Sequence, residues 1–381
     1  MATEKQLFRD LQTLIAFPTV SNRPNVELGA FFASQIEHLG FTVERFAHQA
    51  FPGKVNLVAS IGPTGTDGLV LSGHMDVVPT EGQPWDSDPF VLTERGDKLY
   101  GRGTSDMKGF LAATLAALRR IPASSFSREL VLIWTHDEEV GCLGSALLAE
   151  QLADENRPLP KACWIGEPTG FVAQHMHPGH VALEIQLQGR AAHSSRPDLG
   201  VNAIHGAATV IADLQQLAHE LAQRPNSIEG QEEARVAMNV AMIQGGSAIN
   251  IVPDACSVHV GYRHLPGMAM EALYEEIQQR IANLSLGDVS TTCSFTRGTP
   301  SLLSPANNPL SDLLQPHCQP GPPSASFATD GGNLAKLGMQ PVIFGPGSIE
   351  VAHKANEYIP TAELIASVNM IEDVIRRRCC S

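Results

Sequence analysis

The sequence predicts an α/β fold in which a helix-covered sheet is interrupted by a smaller α+β domain. Three features carry the expectation. The run LVLIWT (130–135) is continuously apolar, as a parallel strand buried on both faces is. Helical spacings alternate with such runs, the arrangement of a sheet covered by helices. Near residue 180 the texture changes, because VALEIQLQ (181–188) alternates apolar and polar residues like a strand with one wet face.

Residues 4–17 place Leu7, Leu11, Leu14 and Ile15 at helical spacing. Residues 55–61 and 69–71 are short β-rich runs. Residues 107–118 read as a helix with Thr104 or Ser105 as its N-cap. Residues 162–165 read as a second buried strand. Beyond the change of texture come a helix over 201–223, strands at 236–243, 256–262 and 289–295, and a helix over 268–284. This β-α-β-β-α-β order is the split βαβ pattern of a two-layer domain. The α/β texture returns after Thr299, with a strand at 341–344 and a closing helix over 363–378. The RRRCC end of that helix reads as frayed, its arginines complementing the helix dipole. The simplest division is a discontinuous first domain, 1–178 with 297–381, and an inserted domain, 179–296.

A chain of 381 residues has length for two to three domains. With 43% hydrophobic and 17% charged residues it is globular in balance, and it buries enough core to need no disulfide staple. The net charge of −14 argues against nucleic acid and against an anionic membrane surface as partners. MATEKQLFRD has no basic segment followed by an apolar stretch, so no signal peptide is expected. No apolar run is long enough to span a bilayer. The seven cysteines are scattered, without a C-x-x-C pair, and suit reduced thiols in a cytoplasmic protein.

The informative residues lie at the C-terminal ends of the expected strands, where open α/β sheets bind ligands. SGHMDVVP (72–79) sets His74 and Asp76 two apart, able to point to one side of an extended segment. A metal-bound imidazole needs a carboxylate on its other nitrogen, and a hydrogen-bonded loop histidine is the plainer reading. LYGRGTSDMKG (99–109) isolates Asp106 between glycines at a helix start, as a capping aspartate or as a carboxylate bridging two cations. THDEEVG (135–141) puts Asp137, Glu138 and Glu139 at the end of a buried strand, a costly place unless a cation or solvent compensates. One of the two glutamates then binds metal and the other acts as general base. WIGEPT (164–169) delivers Glu167, and FGPGSIEVAH (344–353) delivers His353 after a glycine-rich turn. Together these histidines and carboxylates suit two borderline-hard cations such as zinc or cobalt. His175, His177 and His180 resemble a metal cluster, and the reading preferred here is surface or hinge histidines.

In their order and spacing, GHMDVVP, WDSDPF, LYGRGTSDMKG, DEEVG, IGEPT, GRAAHSS, INIVP, YRHLPGM and GPGSIEVAH resemble the M20 metallopeptidase family over nearly the whole chain. The resemblance implies a zinc-peptidase-like mixed sheet flanked by helices, with a ferredoxin-like α+β insert that dimerises. It implies two divalent ions, Zn2+ or Co2+. His74 and Glu167 would hold one, Glu139 and His353 the other, and Asp106 would bridge them. Asp76 would orient His74, and Glu138 would be the general base. His193 would reach the partner subunit's active site to help hold the oxyanion, and Asn250 and Arg263 would contact the substrate carboxylate. The reaction implied is deacylation of an N-acyl amino acid by a cytoplasmic homodimer. N2-acetyl-L-ornithine, in arginine biosynthesis, is the first choice of substrate. Succinyl-diaminopimelate, other acyl amino acids and dipeptides are the alternatives. A non-catalytic binding protein on the same fold would have lost ligands or the base, and all are present. A serine hydrolase is excluded by the lack of a G-x-S-x-G elbow.

Overall fold

The computed structural model describes residues 2–21 and 23–381, with side chains from Glu4 onward. It divides into two compact units, Met1–Met176 with Ser304–Ala325 and Thr329–Ser381, and His177–Leu303 with Ser326–Ala328.

The first unit is built on a six-stranded mixed sheet. Its order is Thr42–Ala47, Val55–Ile61, Leu130–Thr135, Leu69–His74, Ala162–Ile165 and Gln340–Ile343. Val55–Ile61 runs antiparallel to both of its neighbours, and the last four strands of that order run parallel to one another. Leu69–His74, Leu130–Thr135 and Ala162–Ile165 are buried at every position, the last two as their apolar sequences require and the first with Ser72 and His74 carried inside. Register pairs His74 with Thr135 and Ser72 with Ile165, so the parallel strands end along one edge.

Parallel strands need a crossover, and the helix Lys108–Leu118 lies in the one between Leu69–His74 and Leu130–Thr135. Its sequence KGFLAATLAAL has no polar face, and every residue of it is buried. It packs against Ala2–Ala16 and Thr361–Cys379. The expected N-cap is corrected here. The cap position is Met107, and no side chain caps it. Thr104 and Ser105 turn their hydroxyls to the carbonyls of Gly101 and Tyr358 instead. The preceding backbone N–H groups of Gly103, Ser105 and Asp106 are taken by the buried carboxyl of Glu357. The closing helix is also not frayed. Cys379 is buried, and its carbonyl accepts N–H groups from Ser127 at 2.8 Å and Arg128 at 3.1 Å.

The second unit has a four-stranded antiparallel sheet, ordered Ala237–Gly245, Ala255–Arg263, His180–Gln188 and Ser290–Thr299. The helices Ala203–Gln223 and Met270–Ala282 complete a β-α-β-β-α-β sequence. Val181, Leu183, Ile185 and Leu187 share a core with Val258 and Val260 of the neighbouring strand and with Leu214, Leu217, Ile277 and Ile281 of the helices. Each such side chain contributes about 1.5–3 kcal/mol when fully buried. The alternate positions of the strands face outward, as the period-two sequence dictates. Asn202 caps the longer helix, its side chain accepting from the N–H groups of Ile204 and His205.

Among the described residues no helix is long and apolar enough to cross a membrane. The seven cysteines carry no disulfide.

Candidate metal centre

Four parallel strands of the first unit deliver the site. His74 is the last residue of its strand. Leu130–Thr135 runs directly into His136 through Glu139, Ala162–Ile165 into Glu167, and Gln340–Ile343 into the turn that ends at His353. Glycine permits the closeness of two of these loops. A Cβ on Gly345 would lie 2.5 Å from the carbonyl oxygen of Gly166 and 2.6 Å from that of Glu167. A Cβ on Gly166 would strike the Phe110 ring at 2.0 Å.

The distances place Asp106 between two imidazoles. His74 Nε2 lies 2.9 Å from Asp106 Oδ1 and 3.7 Å from Glu167 Oε1. His353 Nε2 lies 3.2 Å from Asp106 Oδ2 and 2.8 Å from Glu139 Oε2. His74, Asp106 and Glu139 each place a donor atom within 4.8 Å of the other two, and so do His74, Glu138 and Glu167. Asp76 meets His74 chiefly through its backbone carbonyl, 2.9 Å from Nδ1, with the carboxylate Oδ1 at 3.6 Å. Its carboxylate also accepts the Ser21 hydroxyl at 2.7 Å and the N–H groups of Glu138 at 3.1 Å and Glu139 at 3.3 Å. One aspartate therefore fixes both the histidine strand end and the glutamate loop.

The electrostatics show a site short of positive charge. Burial, and then the charge of Glu167, push the Glu138 carboxyl well above its usual range. Burial and the Asp106 charge do the same to Glu167, and they raise Glu139 to about 7. Burial opposes charge on His74, but hydrogen bonds to Asp106 and Asp76 hold the imidazole well above its ordinary value. Hydrogen bonds to Asp106 and Glu139 raise His353 to about 10. Asp106 moves the other way. Burial would raise it, and its hydrogen bonds from His353 and His74 outweigh that and hold it low. Glu139 Oε1 is buried with no hydrogen-bond partner among the described residues. A concentration of buried carboxyls that keep their protons, an orphaned carboxylate oxygen and two imidazoles is a donor set that fits a pair of divalent cations.

Several supporting residues had no signal in their local sequence. Lys54 Nζ lies 2.6 Å from Asp137 Oδ1 and donates to the Ser21 carbonyl at 2.6 Å, both ends nearly dry. It anchors Asp137, whose φ of 53° is a left-handed conformation that costs about 1–2 kcal/mol. Glu357 pairs with Arg102 Nη1 at 2.7 Å while binding the Asp106 loop. Arg102 donates in turn to Gln83 at 2.6 Å, and Gln83 donates to the His353 carbonyl at 2.9 Å. Asp330 is buried and accepts the Thr135 hydroxyl at 2.5 Å. The only trace of these acids in the sequence is a carboxylate set among apolar or small residues (FATDGG, NEYIP).

Of the remaining residues singled out above, all but His175 lie in the second unit. His193 is exposed, its Nδ1 2.8 Å from the Ser195 hydroxyl. Asn250 is exposed, and its carbonyl accepts the Ser194 N–H at 3.0 Å. Arg263 is the exposed last residue of its strand. His177 is not a surface histidine. It is fully buried, and burial pushes its imidazole down to about 4. Among the described residues neither His177 nor His180 joins a cluster of metal-capable side chains.

Residues 70–377 match the model of peptidase family M20/M25/M40. The chain is 33% identical over 376 residues to the acetylornithine deacetylase of Myxococcus xanthus, covering 97% of this chain and 96% of that one. The fold is similar to an M20 family metallo-carboxypeptidase from Sulfolobus solfataricus, with a TM-score of 0.78 at 17% identity over 97% of this chain and 98% of the other. It is also similar to a dinuclear metal-binding M20 peptidase from Bacillus subtilis, with a TM-score of 0.70 at 14% identity over 99% of each chain.

Proposed function

The chain belongs to peptidase family M20/M25/M40 and is a hydrolase of that family, and from that premise we propose that it deacylates an N-acyl amino acid. N2-acetyl-L-ornithine is the substrate put first, with L-ornithine and acetate as products. One observation carries the reading: Asp106 sits between His74 and His353, with Glu139 and Glu167 on either side, in a pocket whose carboxyls are starved of positive charge. The choice of substrate draws on the likeness to the Myxococcus xanthus deacetylase.

In this reading His74 and Glu167 would hold one divalent cation, Glu139 and His353 would hold a second, and Asp106 would be shared between them. Zinc or cobalt suits this set of nitrogen and oxygen donors. Bound there, such cations would supply the Lewis acidity that polarises an acyl carbonyl and weakens the hold of the attacking water on its proton. Glu138 takes that proton and returns it to the departing amine. Its raised affinity for protons fits both tasks. Asp76 keeps the His74 ring in place and ties down the loop that carries Glu138. His193 from the partner subunit of a homodimer steadies the developing oxyanion. Arg263, through a two-pronged contact, and Asn250 hold the substrate's α-carboxylate. A cytoplasmic location belongs to the same reading, with seven cysteines in no disulfide as its support.

The test is a panel of acetylornithine, succinyl-diaminopimelate, other acyl amino acids and dipeptides, assayed with zinc or cobalt while metal content is measured on the same sample. The highest kcat/KM is expected for acetylornithine with two equivalents of metal. A clear preference for dipeptides would replace the substrate, and hydrolysis undiminished after chelation would remove the metals from the reaction.

A further inference from the structure

A cluster behind the base takes no part in the hydrolysis described above. Glu138, Cys142 and Asp330 each place one donor atom within 4.8 Å of the other two, and all three are buried. The Cys142 thiol lies 3.4 Å from Glu138 Oε1. A tetrahedral cation with metal–sulfur bonds of about 2.3 Å and metal–oxygen bonds of about 2.0 Å sets its sulfur and oxygen ligands about 3.5 Å apart. The thiol and the carboxyl already have that separation. Asp330 adds an independent observation. It is 2% exposed, and the Thr135 hydroxyl occupies Oδ2, yet buried Oδ1 has no hydrogen-bond partner among the described residues. The frame around the three is fixed. The Cys142 carbonyl accepts the Ser145 hydroxyl at 3.1 Å and the Asn333 amide at 3.2 Å, so the thiol is presented from a pinned backbone.

We propose that Glu138, Cys142 and Asp330 form a third cation site, selective for thiophilic divalent metals such as zinc and cadmium, whose filling inhibits the enzyme by occupying its base. The inhibitory part rests on Glu138 being that base. Binding is ligand exchange without electron transfer. Metal–sulfur and metal–oxygen bonds replace metal–water bonds, and the thiol proton and any carboxyl proton pass to solvent. The sulfur sets the preference, because thiolate selects soft and borderline cations over magnesium. The histidines and carboxylates around Asp106 include no sulfur and cannot give a sulfur-to-metal band.

The experiment uses the full chain reconstituted with two equivalents of zinc and titrated with cadmium chloride. A third equivalent should bind. A sulfur-to-cadmium charge-transfer band should grow in the ultraviolet with it, and turnover should fall at least tenfold, while magnesium does none of this. Cys142→Ser and Cys142→Ala should each lose the band and need at least tenfold more cadmium for the same inhibition, so a folding defect in one does not decide the result. Asp330→Asn should keep the band and weaken the inhibition. A band or an inhibition unchanged in both Cys142 variants assigns the metal to another thiol and overturns the site. Inhibition without a third bound equivalent overturns it too, since it reports exchange into the zinc pair. A chain that shows the band but hydrolyses no acyl amino acid or peptide keeps the site and sinks the base assignment. A chain that hydrolyses them and shows no band does the reverse.

Discussion

The parallel strands of the first unit and the antiparallel strands of the second treat ionisable groups in opposite ways. Leu69–His74 and Leu130–Thr135 are buried from end to end and discharge their polar residues into the interior. Asp76, Asp106 and Glu167 are at most 4% exposed. In the second unit water or a surface partner does that work for the charged pairs, and burial drives the imidazole of His177 toward its uncharged form instead. Arg280 pairs with Asp213 and Glu220, Arg224 pairs with Glu276, and His193, Asn250 and Arg263 are exposed. The difference teaches where sensitivity to substitution should lie. Where the protein itself solvates a charge, one atom changes the chemistry. Where water solvates it, the charge is nearly dispensable, and stability resides in the apolar seam between sheet and helices.

The sharpest attempt to break this contrast is Glu138→Gln. It should keep two equivalents of metal and lose about a thousandfold in kcat, in the range expected of a general base. Turnover near wild type would show that the buried glutamate is a bystander. Next in size is Leu214→Ala, a deletion in the core of the second unit. It should cost about 3 kcal/mol of unfolding free energy, read by urea titration, with metal content per folded molecule unchanged. A loss under about 1 kcal/mol would mean that the seam is not where that unit's stability resides.

His193→Ala tests the contrast from the other side, since an exposed residue of the wet unit is assigned a role in the chemistry. About a hundredfold fall in kcat with full metal content is expected. An unchanged kcat would restore the simple division between the units.

A graded effect follows from the raised carboxyls. Glu138, Glu139 and Glu167 hold protons in the folded chain above their ordinary value of 4.5, so the folded state binds more protons than the unfolded one. Their contribution to the stability of metal-free protein is fully present below that value. It is lost as pH rises, for Glu139 through about 7. Metal replaces those protons and removes the loss. The Tm of metal-loaded protein should therefore exceed that of chelator-treated protein by a margin that widens from about pH 5 to about pH 8. A margin that narrows would mean that the acids are not where the metal binds. The smallest effect belongs to Arg224→Ala. Its pair with Glu276 is partly exposed, and removal should cost less than about 1 kcal/mol in the same urea titration.

Much of this was legible in the sequence because two periodicities state it directly. LVLIWT and VALEIQLQ announce a sheet buried on both faces and a sheet buried on one, and both strands stand where their patterns put them. The residues now gathered around Asp106 were legible because each carries a carboxylate or imidazole at a strand end or in the loop that follows one. Glu357 and Asp330 were not. Their partners lie far away along the chain, at Gly103 to Asp106 and at Thr135, and no spacing rule links a buried acid to a backbone amide some 250 residues distant. The misplaced cap has the same cause. Thr104 and Ser105 are good capping residues locally, and the Glu357 carboxyl outcompetes them only once the fold brings it there.

Gly345 has no room for a Cβ against the carbonyls of Gly166 and Glu167, so two turns from distant parts of the gene share one wall. An alanine at Gly345 would displace the Glu167 loop and the loop leading to His353 in a single step. A variant damaged at Gly345 should therefore be rescued by changes that reopen the space around Gly166 and Glu167, not by changes at the histidine or glutamate themselves.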